Sequence, residues 1–195
     1  MKNKLTTFTL STLLTMVASP VFAEYYVAAD AVYMNIKTVY ANGTTPFELN
    51  TARIKFGQRF KEFGWELHTI IPADDTGVFS GNGDIDKYEI RGGLGFMLTA
   101  SSKDRRYYGG IGFTQILSDY SVTTGAIAGT STSNSTPFFT LNLGGQLEVS
   151  KNTRITLDYT FYHGDIDCNF CVALPNGTDP DVRINTIGVG FSHSF

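Results

Sequence analysis

The segment NTIGVGFSHSF, residues 185–195, alternates with a period of two. Ile187, Val189, Phe191, His193 and Phe195 share one parity, and Thr186, Gly188, Gly190, Ser192 and Ser194 share the other. Successive side chains point in opposite directions only along an extended strand, so this segment has one apolar face and one small, polar face. The same period recurs along the chain. Near the beginning, Tyr25, Val27, Ala29, Ala31 and Tyr33 oppose Glu24, Tyr26, Ala28, Asp30 and Val32. Ile54, Phe56 and Phe60 then oppose Arg53, Lys55, Gly57 and Arg59. Such a chain is all-β, and the direction in which its apolar faces turn decides its surroundings.

About eight alternating segments are legible, and their connections alternate in length. Those after the first, third, fifth and seventh are long and rich in Gly, Asn, Asp, Ser or Thr, as in ANGTTPFELN and PADDTGVFSGNGDID. Those after the second, fourth and sixth (KEFG, SSKDRR, SKNT) are a few residues each. A soluble sandwich has the same solvent at both ends and no reason for this asymmetry. An up-and-down barrel crossing a membrane does: short turns lie on one side, long loops on the other, and the strand number is even.

Residues 1–23 read as a secretory signal peptide. Lys2 and Lys4 precede a short apolar stretch, and Val21 and Ala23 occupy the small-residue positions before a cut after Ala23. That leaves residues 24–195 as one domain, with 13 basic against 18 acidic side chains, a balance of −5 that gives no electrostatic reason to bind nucleic acid. No apolar run in 24–195 approaches the ~20 residues of a membrane helix, so a membrane location requires a closed barrel. Twenty Gly, fifteen Phe and ten Tyr against two Cys fit a barrel better than a disulfide-stapled scaffold.

The charged side chains decide the direction. Asp30, Arg53, Lys55, Arg59, Glu66, Glu89, Arg91, Glu148, Arg154 and Asp158 share the parity of the glycines and small polar residues, and their signs balance, five acidic against five basic. A narrow lumen in which opposite charges pair accounts for both facts. Aromatics gather near strand ends (Tyr25, Tyr33, Phe60, Phe63, Trp65, Tyr107, Phe138, Phe139, Phe161, Phe195), where rings sit at the two membrane interfaces. The apolar face is therefore expected to meet lipid.

With these features the chain resembles the small OmpA/OmpX-like family of bacterial outer-membrane β-barrels over residues 24–195. The resemblance implies an eight-stranded antiparallel barrel, short periplasmic turns, long extracellular loops, and outer-membrane lipids and lipopolysaccharide as surroundings. It also implies that the barrel assembly machinery reads the terminal strand, with Phe195 and the outward Phe191 and Val189 as the signal.

Other constellations carry less. Cys168 and Cys171 form C-x-x-C without a second cysteine pair or ligand-spaced histidines, so in an exported protein they are expected to close a disulfide in the last outer loop rather than hold metal. His68, His163 and His193 are the only histidines, and none has a serine at a spacing that supports a catalytic dyad, so no catalytic residue, metal site or cofactor is expected. The expected role is surface interaction through extracellular loops, with an unknown ligand, or envelope integrity. A narrow channel for small or hydrophobic solutes and a lipid A-modifying enzyme are the alternatives. Cys168→Ser is expected to leave heat-modifiable gel migration intact; its loss would mean that the cysteines hold the barrel itself.

Overall fold

The computed structural model describes residues 23–40, 43–73, 77–81, 84–122, 131–165 and 181–195. All of the expected leader, residues 1–23, except Ala23, and also Cys168 and Cys171, lie outside these residues. Nine strands follow in chain order: β1 (Ala23–Tyr40), β2 (Gly43–Phe60), β3 (Phe63–Pro72), β4 (Gly77–Gly81), β5 (Asp84–Ser101), β6 (Tyr107–Val122), β7 (Ser131–Ser150), β8 (Thr153–Asp165) and β9 (Asp181–Ser194). Each is antiparallel to its neighbours in one sheet. Strands β3 and β4 both lie along β5 and form one stave, so the sheet has eight staves. It closes where β1 meets β9, from Tyr26↔Ser194 to Val39↔Asp181.

The β1–β9 ladder removes the two edges that an open sheet would leave, which is what a sheet in hydrocarbon needs, because an unpaired amide there has no water to turn to. The expected short turns are in place. Lys61 and Glu62 join Phe60 to its ladder partner Phe63, with Lys61 at φ 56° to let the chain reverse in two residues. Lys151 and Asn152 join β7 to β8. The five-residue turn before Tyr107 is closed by Arg105 N–H donating to the Ser102 carbonyl at 2.8 Å. Asp104 accepts there from the Ser102 hydroxyl and the Arg106 amide, and these bonds hold its carboxyl below the usual carboxylate range.

The opposite end departs from expectation. Much of what reads as loop is strand: β1 and β2 stay paired up to Tyr40↔Gly43, through most of ANGTTPFELN, and β7 begins at Ser131, inside the Ser/Thr-rich segment. Burial explains the extension. Val32, Met34, Ile36, Leu49, Ile70, Ile90, Ile116, Phe138, Tyr162, Val182 and Ile184 form a buried cluster inside the upper barrel. At that height the outward side chains turn polar, with Lys37, Glu48, Asn50, Ser133, Ser135, His163 and Arg183 exposed. Lower down the order is reversed: apolar side chains such as Ile54, Phe56, Leu94, Phe96, Phe113, Leu143, Val189 and Phe191 face outward, and polar ones fill the interior. The lower barrel is therefore built for lipid and the upper barrel for water. Leu49, within the segment read as loop, belongs to the buried cluster, and the residues above it stay extended through the β1–β2 ladder.

Close packing inside is tolerated only because several inward positions lack a side chain. A Cβ on Gly112 would stand 2.0 Å from the Phe96 carbonyl oxygen, whereas one on Gly145 would meet nothing nearer than 3.6 Å. Gly112→Ala should cost about 1–3 kcal/mol in urea unfolding of the lipid-reconstituted barrel, and Gly145→Ala should stay within about 0.5 kcal/mol of the native chain.

Candidate functional site

The interior is stacked in layers. At mid-height, Asp30 and Arg53 are direct ladder partners on β1 and β2, which places a carboxylate beside a guanidinium. Arg53 donates Nε and Nη2 to Asp30 Oδ2 at 3.2 and 3.0 Å, and Nη2 also donates to Asp158. Lys55 Nζ stands 2.7 Å from Asp30 Oδ2 and 2.8 Å from Asp158 Oδ2. Two carboxylates and two cations thus form a closed, neutral quartet, with each side chain no more than 3 % exposed. Hydroxyls and an amide satisfy what remains. Arg53 Nη1 donates to Thr160 at 2.9 Å, Thr156 donates to Asp30 at 3.2 Å, and Asn142 donates to Thr160 at 2.7 Å. Alongside, His68 Nε2 meets Thr114, which meets Thr140.

Glycines make the quartet possible. Asp30 faces Gly190 across the β1–β9 ladder, and Asp158 faces Gly188 across β8–β9. A Cβ on Gly190 would lie 2.4 Å from Asp30 Oδ1, and one on Gly188 would lie 3.0 Å from Arg53 Nη2. These are the small residues of the IGVG segment, and their place opposite the carboxylates is the reason for their size.

Below the quartet, Tyr26 donates its hydroxyl to Glu66 Oε2 at 2.7 Å, and the Arg59 guanidinium lies 4.0 Å over the Tyr26 ring. At the turn end, Glu24 pairs with Arg154 and with Arg105, which reaches in from the turn before β6. Arg154 also donates to Ser194 at 3.0 Å. Above the quartet lies the apolar cluster. The described interior therefore holds three polar layers capped by an apolar one.

Of the ten charges expected in the lumen, Asp30, Arg53, Lys55, Glu66, Arg154 and Asp158 are buried in it, and Arg59 is half-buried at its mouth. Three are not in it. The β5–β6 register shifts between Ile90 and Gly92, so Ile90 turns inward while Glu89 and Arg91 flank it on the outer wall. There the Arg91 side chain is 61 % exposed and pairs with Asp119. Glu148 is exposed at the turn end, where the β7–β8 register shifts between Glu148 and Ser150. Phe138, expected at an interface, is fully buried in the upper core because its neighbour Phe139 takes the outward place.

Glu24, Tyr26, Tyr108 and Arg105 belong to the interior although the sequence pattern gave them no role. Glu24 and Tyr26 share the parity of Asp30, which is the signal that would have found them. Of the histidines, His68 is buried, whereas His163 and His193 are exposed. His193 faces Thr153 at 3.1 Å, with Ser192 and Ser194 buried on the opposite face. Among the described residues no group of three His, Cys, Asp or Glu side chains is placed to hold a metal ion.

A closed antiparallel barrel with an outward apolar belt and a charge-filled interior is the architecture of one kind of membrane protein, and the family model for the outer membrane protein beta-barrel domain matches residues 9–195. The chain belongs to that family. Its place is the bacterial outer membrane, in a lipid and lipopolysaccharide environment. Among solved structures, Neisserial surface protein A (NspA) is 16 % identical, with a TM-score of 0.55 over 88 % of this chain and 97 % of that one. Ail, the attachment invasion locus protein of Yersinia pestis, is 14 % identical, with a TM-score of 0.52 over 90 % of this chain and 100 % of that one. No curated protein matches the chain by sequence.

Arg53→Met leaves the buried carboxylates of this outer-membrane barrel with Lys55 alone between them. It should lower unfolding free energy in lipid by about 3–5 kcal/mol, the cost of breaking a buried ion pair. Arg106→Gln, at a side chain 72 % exposed in a short turn, should change the same urea curve by less than about 0.5 kcal/mol.

Proposed function

We propose that this barrel acts at its outer rim, in surface interaction or envelope integrity, and that its interior carries no solute. The observation behind this reading is the quartet of Asp30, Arg53, Lys55 and Asp158, which spans the lumen from β1 and β2 to β8 with its charges paired. A hydrated solute would have to separate both carboxylates from both cations in a low-dielectric interior and then cross the apolar layer of Met34, Ile36, Phe138 and Ile184. Eight staves enclose a space that side chains just fill.

The upper barrel supports a role at the rim. Its outer wall is polar from Lys37 and Glu48 round to His163 and Arg183, and it carries the described strands β6 to β9 beyond the apolar belt. The two relatives are by name a surface protein and an attachment invasion locus protein. At their low identity they lend the architecture, and the functional reading rests on the blocked interior. The proposal gives the barrel no catalytic step and no cofactor.

Planar bilayers containing the purified chain should show no stable single-channel steps of porin size, and such steps would replace this reading with the channel alternative. Grafting segments 123–130 and 166–180 onto an inert eight-stranded barrel should transfer surface attachment to the host cell. Altered lipid A masses from cells expressing the native chain would instead favour an enzyme.

A further inference from the structure

Among the described residues, the wall of the barrel is interrupted between β3 and β4. Along β5, the ladder with β3 ends at Ile70↔Gly93, and the ladder with β4 resumes at Gly77↔Tyr88. Meanwhile β3 stays paired with β2 as far as Pro72↔Thr51, so its last residues follow β2 rather than β5. On the β5 side, the register shift at Ile90/Gly92 and the φ of +154° at Gly92 bend the strand, and Gly92 carries no side chain that could fill the opening. The result is a crevice of about 660 Å³.

Its lining is part apolar and part polar. Ile71, Pro72, Leu94 and Leu117 are its apolar lining, and through Leu94 it is continuous with the lipid-facing belt of Phe96, Leu98 and Phe113. Its polar groups are Arg91 and Ser135 at the upper rim and Gln115, two residues below Leu117 on β6, with Gln115 Nε2 donating to Ser135 Oγ at 2.6 Å. Arg91 is fixed at the rim by Asp119, 2.5 Å from its Nε, while most of its side chain remains exposed. On β5 the outward side chains pass from Phe96 and Leu94 to Arg91, and on β7 from Phe139 to Ser135, so the crevice lies at the level at which the outer wall turns from apolar to polar, where lipid headgroups meet acyl chains. Arg183, the other arginine on the upper wall, is already bound through both Nε and Nη2 to Asp181.

We propose that this crevice is a binding site for a phosphorylated glycolipid of the outer leaflet, with an acyl chain along Ile71, Leu94 and Leu117 and a phosphate on Arg91. The apolar portion removes hydrocarbon from a mobile bilayer into a shaped wall. The guanidinium supplies a planar donor set suited to phosphate. Asp119 orients that donor and lowers the net charge of the rim, so affinity should fall as ionic strength rises.

The test places the purified full chain in phosphatidylglycerol nanodiscs doped with lipid A carrying its phosphates, and counts lipid A retained on the released barrel by native mass spectrometry. The native chain should retain one lipid A. Arg91→Gln should reduce retention roughly tenfold, the loss expected for one charge-assisted contact. Leu117→Trp, which fills the apolar portion, should abolish it; if that variant loses heat-modifiable migration, Gln115→Trp takes its place. Lipid A stripped of phosphate should be held no better than phosphatidylglycerol. Equal retention by the native chain and Arg91→Gln, or equal retention of stripped and phosphorylated lipid A, would overturn the proposal.

Discussion

A strand that crosses hydrocarbon can leave none of its amides unpaired, and in this chain the ladder between β1 and β9 meets that demand. Everything else is arranged around a sheet that has been closed. Closure fixes a narrow interior, a narrow interior brings facing strands within side-chain reach, and charges placed there must find each other because water cannot serve them. Arg53 on β2 thus reaches both Asp30 on β1 and Asp158 on β8, residues far apart in the chain. Without the closing ladder there would be no quartet.

The barrel answers two solvents in succession. In its lower half the apolar side chains face out and the paired charges face in. In its upper half the arrangement is exchanged: Met34, Ile36, Ile116 and Ile184 are buried inside, while Lys37, Asn50, Ser133 and Arg183 face outward. Apart from β5, where the shift at Ile90/Gly92 interrupts it, the alternation runs through the change, so the same period of two serves lipid below and water above. The level of the change marks the membrane boundary on this wall more sharply than the aromatic residues do, since Phe138 sits in the core and Tyr33 and Phe139 remain outside.

Strand parity made much of this legible in the sequence. It placed Asp30, Arg53, Lys55, Glu66, Arg154 and Asp158 on one face, and the alternation of connection lengths implied the antiparallel eight-stave barrel. What parity cannot register is a bulge. A single extra residue at Ile90/Gly92 moved Ile90 inward and took Glu89 and Arg91 out of the lumen, and a second shift near Glu148 left that carboxylate in solvent. Nor does parity say where a strand stops. Polar Ser/Thr and Asn-Gly stretches read as loops, yet ladder pairing and the apolar cluster beneath keep several of them extended. The reach of Arg105 from a turn to Glu24 joins residues 81 positions apart and has no local sequence signal.

The quartet also shows why the small residues of β9 cannot be read as filler. A buried charge pair contributes to the fold only when its desolvation is offset by near-complete hydrogen bonding, and that requires the carboxylates to approach their partners without interference. Gly188 and Gly190 provide the space, Thr156 and Thr160 complete the bonding, and Asn142 ties Thr160 to the next strand. Glycine opposite each carboxylate is therefore as much a component of the electrostatic design as the charges are. A neutral, hydrogen-bonded layer of this kind ties β1 and β2 to β8 across the interior, and it does so only because β9 leaves room for it.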